Sequence, residues 1–242
     1  EGRLTARPVA YLSPGAEQIV LPRGPLISNV SISPEVSEAM LKYVAPIVAG
    51  ATLAQGQFSL DLETAQVPLT APDQARVAGK LDIQQLRVTP GPMLNDLVSL
   101  MSQLESLSIG GQLLQSAGAP REVKLLSMTY QQINFLVAQG SVYHRDLQFL
   151  IDDVPVRSNG SVGFDQTLAM ELEVPIQQKW LGDKRAFQSL AGQVLKIPIS
   201  GTFQNPRIDS RAVADLSQKL LQGAASQVIG DELNRAFDKL FK

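Results

Sequence analysis

Thr167-Leu168-Ala169-Met170-Glu171-Leu172-Glu173-Val174-Pro175-Ile176 decides how this chain folds. Leu168, Met170, Leu172, Val174 and Ile176 fall on every second position, with Thr167, Ala169, Glu171 and Glu173 between them. Side chains of a strand alternate between its faces, so this stretch has one aliphatic side and one solvated side. Phe58-Ser59-Leu60-Asp61-Leu62-Glu63 repeats the period. Further strands are expected around 17–22, 25–32, 79–88, 123–137, 141–151, 154–164 and 194–204. Asn159-Gly160, between Val154–Arg157 and Ser161–Phe164, reads as a two-residue hairpin turn, because both central residues of such a turn need positive φ.

A glycine motif recurs five times, as Gln55-Gly56-Gln57-Phe58, Ala78-Gly79-Lys80-Leu81, Gln139-Gly140-Ser141-Val142, Asn159-Gly160-Ser161-Val162 and Ser200-Gly201-Thr202-Phe203. Glycine near a strand start suits a hairpin or a bulge, so the copies point to a meander of successive antiparallel strands. Their irregular spacing defines no solenoid period.

Helical spacing interrupts the strands. Ser33-Pro34-Glu35 offers an N-cap, a proline at the first helical position and an acidic first turn, with Val36, Met40, Val44 and Val48 following and Pro46 as a kink or end. A second helix is expected after Gly91-Pro92, with Met93, Leu97, Leu100, Met101, Leu104 and Leu107 on one side. A short third is expected over 183–192. A long tail runs from Asp209 or Ser210 to Lys242, its stripe including Leu220, Phe237 and Leu240, bent or split by Gly223 and Gly230. The expectation is a single strand-rich domain over 1–242, α+β but mainly β. A curved, trough-like antiparallel meander would carry three to four helices covering one face or end, and a long C-terminal helical tail.

Composition narrows the function classes. The 242 residues carry 44% hydrophobic but only 5% aromatic residues, so the core is built from Leu, Val, Ile and Ala. Twenty-one basic against 23 acidic residues leave no surplus for a phosphate backbone, which argues against nucleic acid. The absence of cysteine excludes disulfides and thiolate chemistry. No apolar run reaches the roughly 18 residues of a membrane span, and the longest, Tyr43 to Ala54, is broken by Pro46, Gly50 and Thr52. A start at Glu1 without Met suggests a piece of a longer protein, so any membrane anchor is expected outside these residues.

Catalytic groups are sparse. The single histidine, His144, falls in the expected strand 141–151, where pairing across the sheet is its expected role, and no Gly-x-Ser-x-Gly elbow accompanies it. Asp152-Asp153 suits a turn better than a metal, because neighbours on a strand point to opposite faces. Glu171 and Glu173 share a face, but it is the polar side of an amphipathic strand. Neither a phosphate loop nor a dinucleotide fingerprint is present. No catalytic residue, metal site or cofactor is expected. What remains is aliphatic area: Phe58, Leu60 and Leu62, with Leu147, Phe149 and Ile151, and with Leu168, Met170 and Leu172. Either helices cover this face and close the core, or the sheet leaves part of it open to acyl chains, which offer no polar group to recognise.

One segment resembles a known family. Ile197-Pro198-Ile199-Ser200-Gly201-Thr202-Phe203-Gln204-Asn205-Pro206-Arg207-Ile208-Asp209 is similar to a segment of AsmA-like C-terminal regions, in which Gly-Thr, a later Pro and a final Asp are set among hydrophobic residues. Gly140–His144, Leu147–Ile151 and Gly160–Val174, with Val174-Pro175-Ile176, resemble the strands preceding it there. The likeness covers about residues 123–242. It implies a kinship with AsmA-, TamB- and YhdP-type bacterial envelope proteins, anchored in the inner membrane, reaching into the periplasm and linked to phospholipid transport and outer-membrane integrity through an apolar groove. The chain is then expected to be a non-catalytic, C-terminal envelope module in the periplasm, tethered through a missing segment and contacting lipid through the nine residues named above. The alternative is an assembly module with a closed core, binding an envelope protein through its C-terminal helix at Leu220, Phe237 and Leu240.

Overall fold

Alternation of apolar and polar residues builds almost everything described in the computed structural model, which covers residues 2–49, 54–89, 126–151, 153–178 and 191–209, with positions 211, 214, 215 and 218. The quoted stretch forms strand β11 (Thr167–Pro175), with Leu168, Met170, Leu172 and Val174 buried and the residues between them outward. Before it come β1 (Arg3–Leu4), β2 (Val9–Tyr11), β3 (Gln18–Leu21), β4 (Gly24–Ser31), β5 (Ala54–Pro68), β6 (Arg76–Val88), β7 (Leu126–Met128), β8 (Gln131–Ala138), β9 (Ser141–Ile151) and β10 (Val154–Gly163). After it come β12 (Val194–Thr202) and β13 (Pro206–Ile208).

All thirteen strands join one sheet, and every pairing is antiparallel. From β8 to β13 each strand pairs with the next along the chain, as a meander does. Three levels of the sheet hold two short strands end to end: β1 with β2, β3 with β4, and β7 with β8. The longest strand, β5, has 15 residues and extends roughly 50 Å at about 3.3 Å per residue.

The expected helices are corrected. Among the described residues the protein is mainly antiparallel β and its longest helical segment has 11 residues, α1 (Pro34 to Val44), so the expected α+β fold with three to four covering helices gives way to a sheet with one. Ser33 Oγ accepts the Val36 N–H at 3.4 Å at its start. The segment is α-helical over Pro34–Val36, π-helical over Ser37–Leu41 and α-helical again over Lys42–Val44, and a 3₁₀ turn follows over Pro46–Val48. The expected helix around 93–107, most of that at 183–192 and nearly all of the 210–242 tail lie outside the described residues. Ala191 and Gly192, the end of the expected third helix, form a turn instead, with Gly192 at φ +78°. Helical spacing alone is a weak signal, because a helix gains most of its stability from the surface it packs against.

The expected hairpin at Asn159-Gly160 is also corrected. β10 runs through both residues, and the two-residue turn with positive φ at both positions is Gln139-Gly140, between β8 and β9. At Asn159 the ladder with β9 slips: Ser158 faces Leu147 and Gly160 faces His144, so Arg145 and Asp146 stand opposite Asn159 alone. Asp146 takes φ +56°, and its N–H donates to Asn159 Oδ1 at 2.9 Å. The asparagine side chain thus closes a β-bulge rather than a turn. Gly160 is required here: at φ +147° a Cβ would lie 2.4 Å from Ala169 O and 2.5 Å from Met170 Cα.

One face of the sheet is the core. A single apolar cluster takes Phe58, Leu60 and Leu62 from β5, Leu81, Ile83, Leu86 and Val88 from β6, and continues through β7–β12 to Leu195, Ile197 and Ile199. α1 and the turn after it add Leu41, Val44, Ala45 and Val48, with Lys42–Val44 against β9 and β10.

Candidate functional site

All nine residues expected to contact lipid lie on the inner face and in that one cluster. Phe58, Leu60, Leu62, Leu147, Phe149, Ile151, Leu168, Met170 and Leu172 are each no more than 6% exposed, so the face is covered, not open. From β5 to β12 it spans seven strand levels, roughly 29 Å at about 4.8 Å per step. Among the described residues the element lying over it is α1 with its following turn. The partner-helix residues Leu220, Phe237 and Leu240 lie outside the described residues.

One polar pair interrupts the inner face. His144 of β9 is 1% exposed and Ser158 of β10 is fully buried, with Nε2 and Oγ 2.9 Å apart. Nδ1 has no hydrogen-bond partner among the described residues. Burial alone pushes the imidazole pKa down from 6.5 to about 4, because a charged ring would lose its hydration without gaining a counter-ion. At neutral pH the ring is uncharged. A catalytic serine needs a base oriented by a third group, and among the described residues this imidazole has none.

The outer face carries the charges. Lys196 Nζ lies 2.7 Å from Glu171 Oε1 and 3.7 Å from Glu173 Oε1, and Glu173 also approaches Arg157 at 3.9 Å. Arg157 continues to Asp146 at 3.6 Å. Glu171 beside it holds the Lys196 ammonium above its ordinary pKa. The two glutamates are thus bridged by a lysine on an exposed ladder of alternating sign, not poised across a cleft. Among the described residues no group of three or more His, Asp or Glu side chains is arranged to hold a metal ion. Asp153 is an exposed turn residue, and Asp152 lies outside the described set.

Two cavities flank the sheet. The larger, about 620 Å³, is lined by Asp73, Gln74, Arg76, Leu136, Ala138 and Gln139. Leu136 there is 45% exposed and points away from the core, so this cavity is a surface feature at the turn end of β6 and β8. The smaller, about 340 Å³, opens beside β3 and β4 and includes Leu62 of the inner face in its lining. It is the one of the two that reaches the apolar cluster. Its arginines, Arg7 and Arg23, were not singled out by sequence reasoning. Their signal was the density of ladder breakers around them: Pro8, Pro22, Gly24 and Pro25.

Fold and face together define a wide antiparallel-sheet protein whose described residues share an aliphatic inner side. Comparison with protein-family models, with curated proteins and with solved structures gives no match.

Proposed function

We propose that this chain is a non-catalytic module of the bacterial envelope that holds lipid acyl chains against the inner face of its sheet, contributing to phospholipid transport or outer-membrane integrity. The observation that carries this reading is the continuity of that face: nine aliphatic or phenyl side chains from β5, β9 and β11 share one cluster, interrupted by the single neutral pair of His144 and Ser158. A face so largely aliphatic selects hydrocarbon by exclusion of water. The likeness of Ile197–Asp209 to AsmA-like C-terminal regions supports an envelope setting. Ile197 and Ile199 of that segment belong to the inner face.

Room for an acyl chain against the sheet requires part of the cover to move, and α1 is suited to it. Its hydrogen-bond pattern changes twice within 11 residues, and π-helical turns are rare and frequent at functional sites. The acyl chain takes the place of Leu41, Val44 and Val48 against the sheet. Burial of the nine residues favours a second reading, an assembly module with a closed core that binds an envelope protein. Native mass spectrometry and lipid extraction of the purified chain separate the two. The lipid reading expects co-purifying phospholipid; a protein free of lipid, and unable to take it up from vesicles, supports the closed core and overturns the first reading.

A further inference from the structure

The N-terminal edge of the sheet is broken at one level through two successive layers. β3 and β4 lie end to end against β5, and β2 and β1 lie end to end against them, so Ala6–Pro8 and Pro22-Arg23 leave the ladder together. The chemistry of the break is in the sequence. Pro8, Pro22 and Pro25 have no N–H to donate, Gly24 takes φ +136°, and the pairing of β4 with β5 slips between Pro25 and Ile27. β5 runs on unbroken behind the gap, with Leu62 opposite Gly24.

The cavity of about 340 Å³ occupies this notch, and its lining includes Thr5, Arg7, Leu21, Arg23, Leu26 and Leu62. Leu62 is a member of the inner-face cluster, and Leu21 and Leu26 pack against it. The floor of the notch is therefore continuous with the aliphatic face. Its rim is cationic: Arg7 and Arg23 are exposed, and neither has an ion-pair partner among the described residues. The nearby Glu63 is engaged by Lys80 at 3.7 Å.

We propose that this notch is the portal by which an anionic amphiphile reaches the inner face, its phosphate-bearing headgroup held by Arg7 and Arg23 and its acyl chain laid along Leu21, Leu26 and Leu62. The proposal rests on the lipid reading and adds the point of access and the charge of the headgroup. Guanidinium groups pair with phosphate oxygens in a planar, two-point fashion, which suits them to this rim. A free phosphate would leave the leucine floor wet, and an uncharged hydrocarbon would leave both cations without a counter-charge. An amphiphile meets both demands. The volume lies near the lower end of the range of about 300–1,000 Å³ for ligand pockets, enough for a headgroup and the first part of a chain.

The test is calorimetric titration of the full chain and of R7Q/R23Q with three probes: dihexanoyl phosphatidylglycerol below its micelle threshold, dihexanoyl phosphatidylcholine, and inorganic phosphate. Both arginines are exposed, so the variant is expected to fold, and circular dichroism checks this. Phosphatidylglycerol is expected to bind the natural chain, to lose about tenfold or more in R7Q/R23Q, and to exceed the other two probes by a similar factor. Inorganic phosphate binding as well as phosphatidylglycerol would reduce the notch to an anion site and overturn the proposal. Equal binding of phosphatidylglycerol by both proteins would overturn it while leaving the lipid reading intact. Binding of no lipid by either protein would sink both.

Discussion

Replacing His144 and Ser158 together, as H144L/S158A, isolates the one titratable group buried among the described residues of the inner face. Removing both partners at once leaves no stranded hydroxyl or ring nitrogen, so the variant is expected to match the natural chain at pH 7.5 to within about 1 kcal/mol. Acid is expected to separate them. The buried imidazole has its pKa lowered to about 4, against 6.5 when unfolded, so the unfolded chain binds the proton first. Stability is fully present above about pH 6.5 and is lost as pH falls toward 4. The full difference corresponds to about 3 kcal/mol at 1.36 kcal/mol per pH unit, of which about 2 kcal/mol falls between pH 7 and pH 4.5. Urea unfolding followed by circular dichroism at a series of pH values measures it. The natural chain should lose about 2 kcal/mol more than H144L/S158A over that window. Parallel curves for the two proteins would refute the claim that the ring is held neutral by burial.

Two further substitutions test the sheet itself. Gly160→Ala places a methyl group 2.4 Å from Ala169 O on a backbone at φ +147°, and should cost more than about 2 kcal/mol in the same urea assay; an unchanged midpoint would contradict the bulge geometry. Leu172→Ala removes an inner-face side chain that is 1% exposed and should cost about 2–5 kcal/mol, whereas the outward Gln148→Ala should cost under about 0.5 kcal/mol. Equal effects at the two positions would contradict the assignment of faces.

Strand phase was legible because it depends on neighbours two residues apart. Phe58, Leu60 and Leu62, and Leu168, Met170 and Leu172, each share a face by parity alone, and all six are on the inner side. Parity failed where the backbone slips. His144 and Leu147 are three apart and so belong to opposite faces of a regular strand, yet both are buried, because the bulge at Arg145-Asp146 turns the strand over between them. The meeting of His144 with Ser158 was hidden by that slip. Asn159-Gly160 misled for a related reason: its composition suits a turn and a bulge equally, and the Asn159 side chain bonding to Asp146 N–H decided between them. β1 and β2 are two and three residues long, with exposed Leu4, Val9 and Tyr11, so they carry no alternation to read. The expected third helix failed at its end, where Ala191 and Gly192 turn, because apolar spacing says which residues can share a side, not whether a surface is there to receive them. The notch at Arg7 and Arg23 depends on two breaks more than ten residues apart falling at one level of the sheet, a coincidence of register rather than of sequence.

The most direct test of the inner face is to mix the full chain with vesicles holding a phospholipid that carries a diazirine in its acyl chain, irradiate, and locate the adducts by tandem mass spectrometry. Lipid held as proposed places adducts on inward residues such as Leu60, Leu147 and Met170, and spares the outward Tyr130, Leu136 and Tyr143. Adducts confined to those exposed side chains, or none at all, would contradict a lipid-holding sheet.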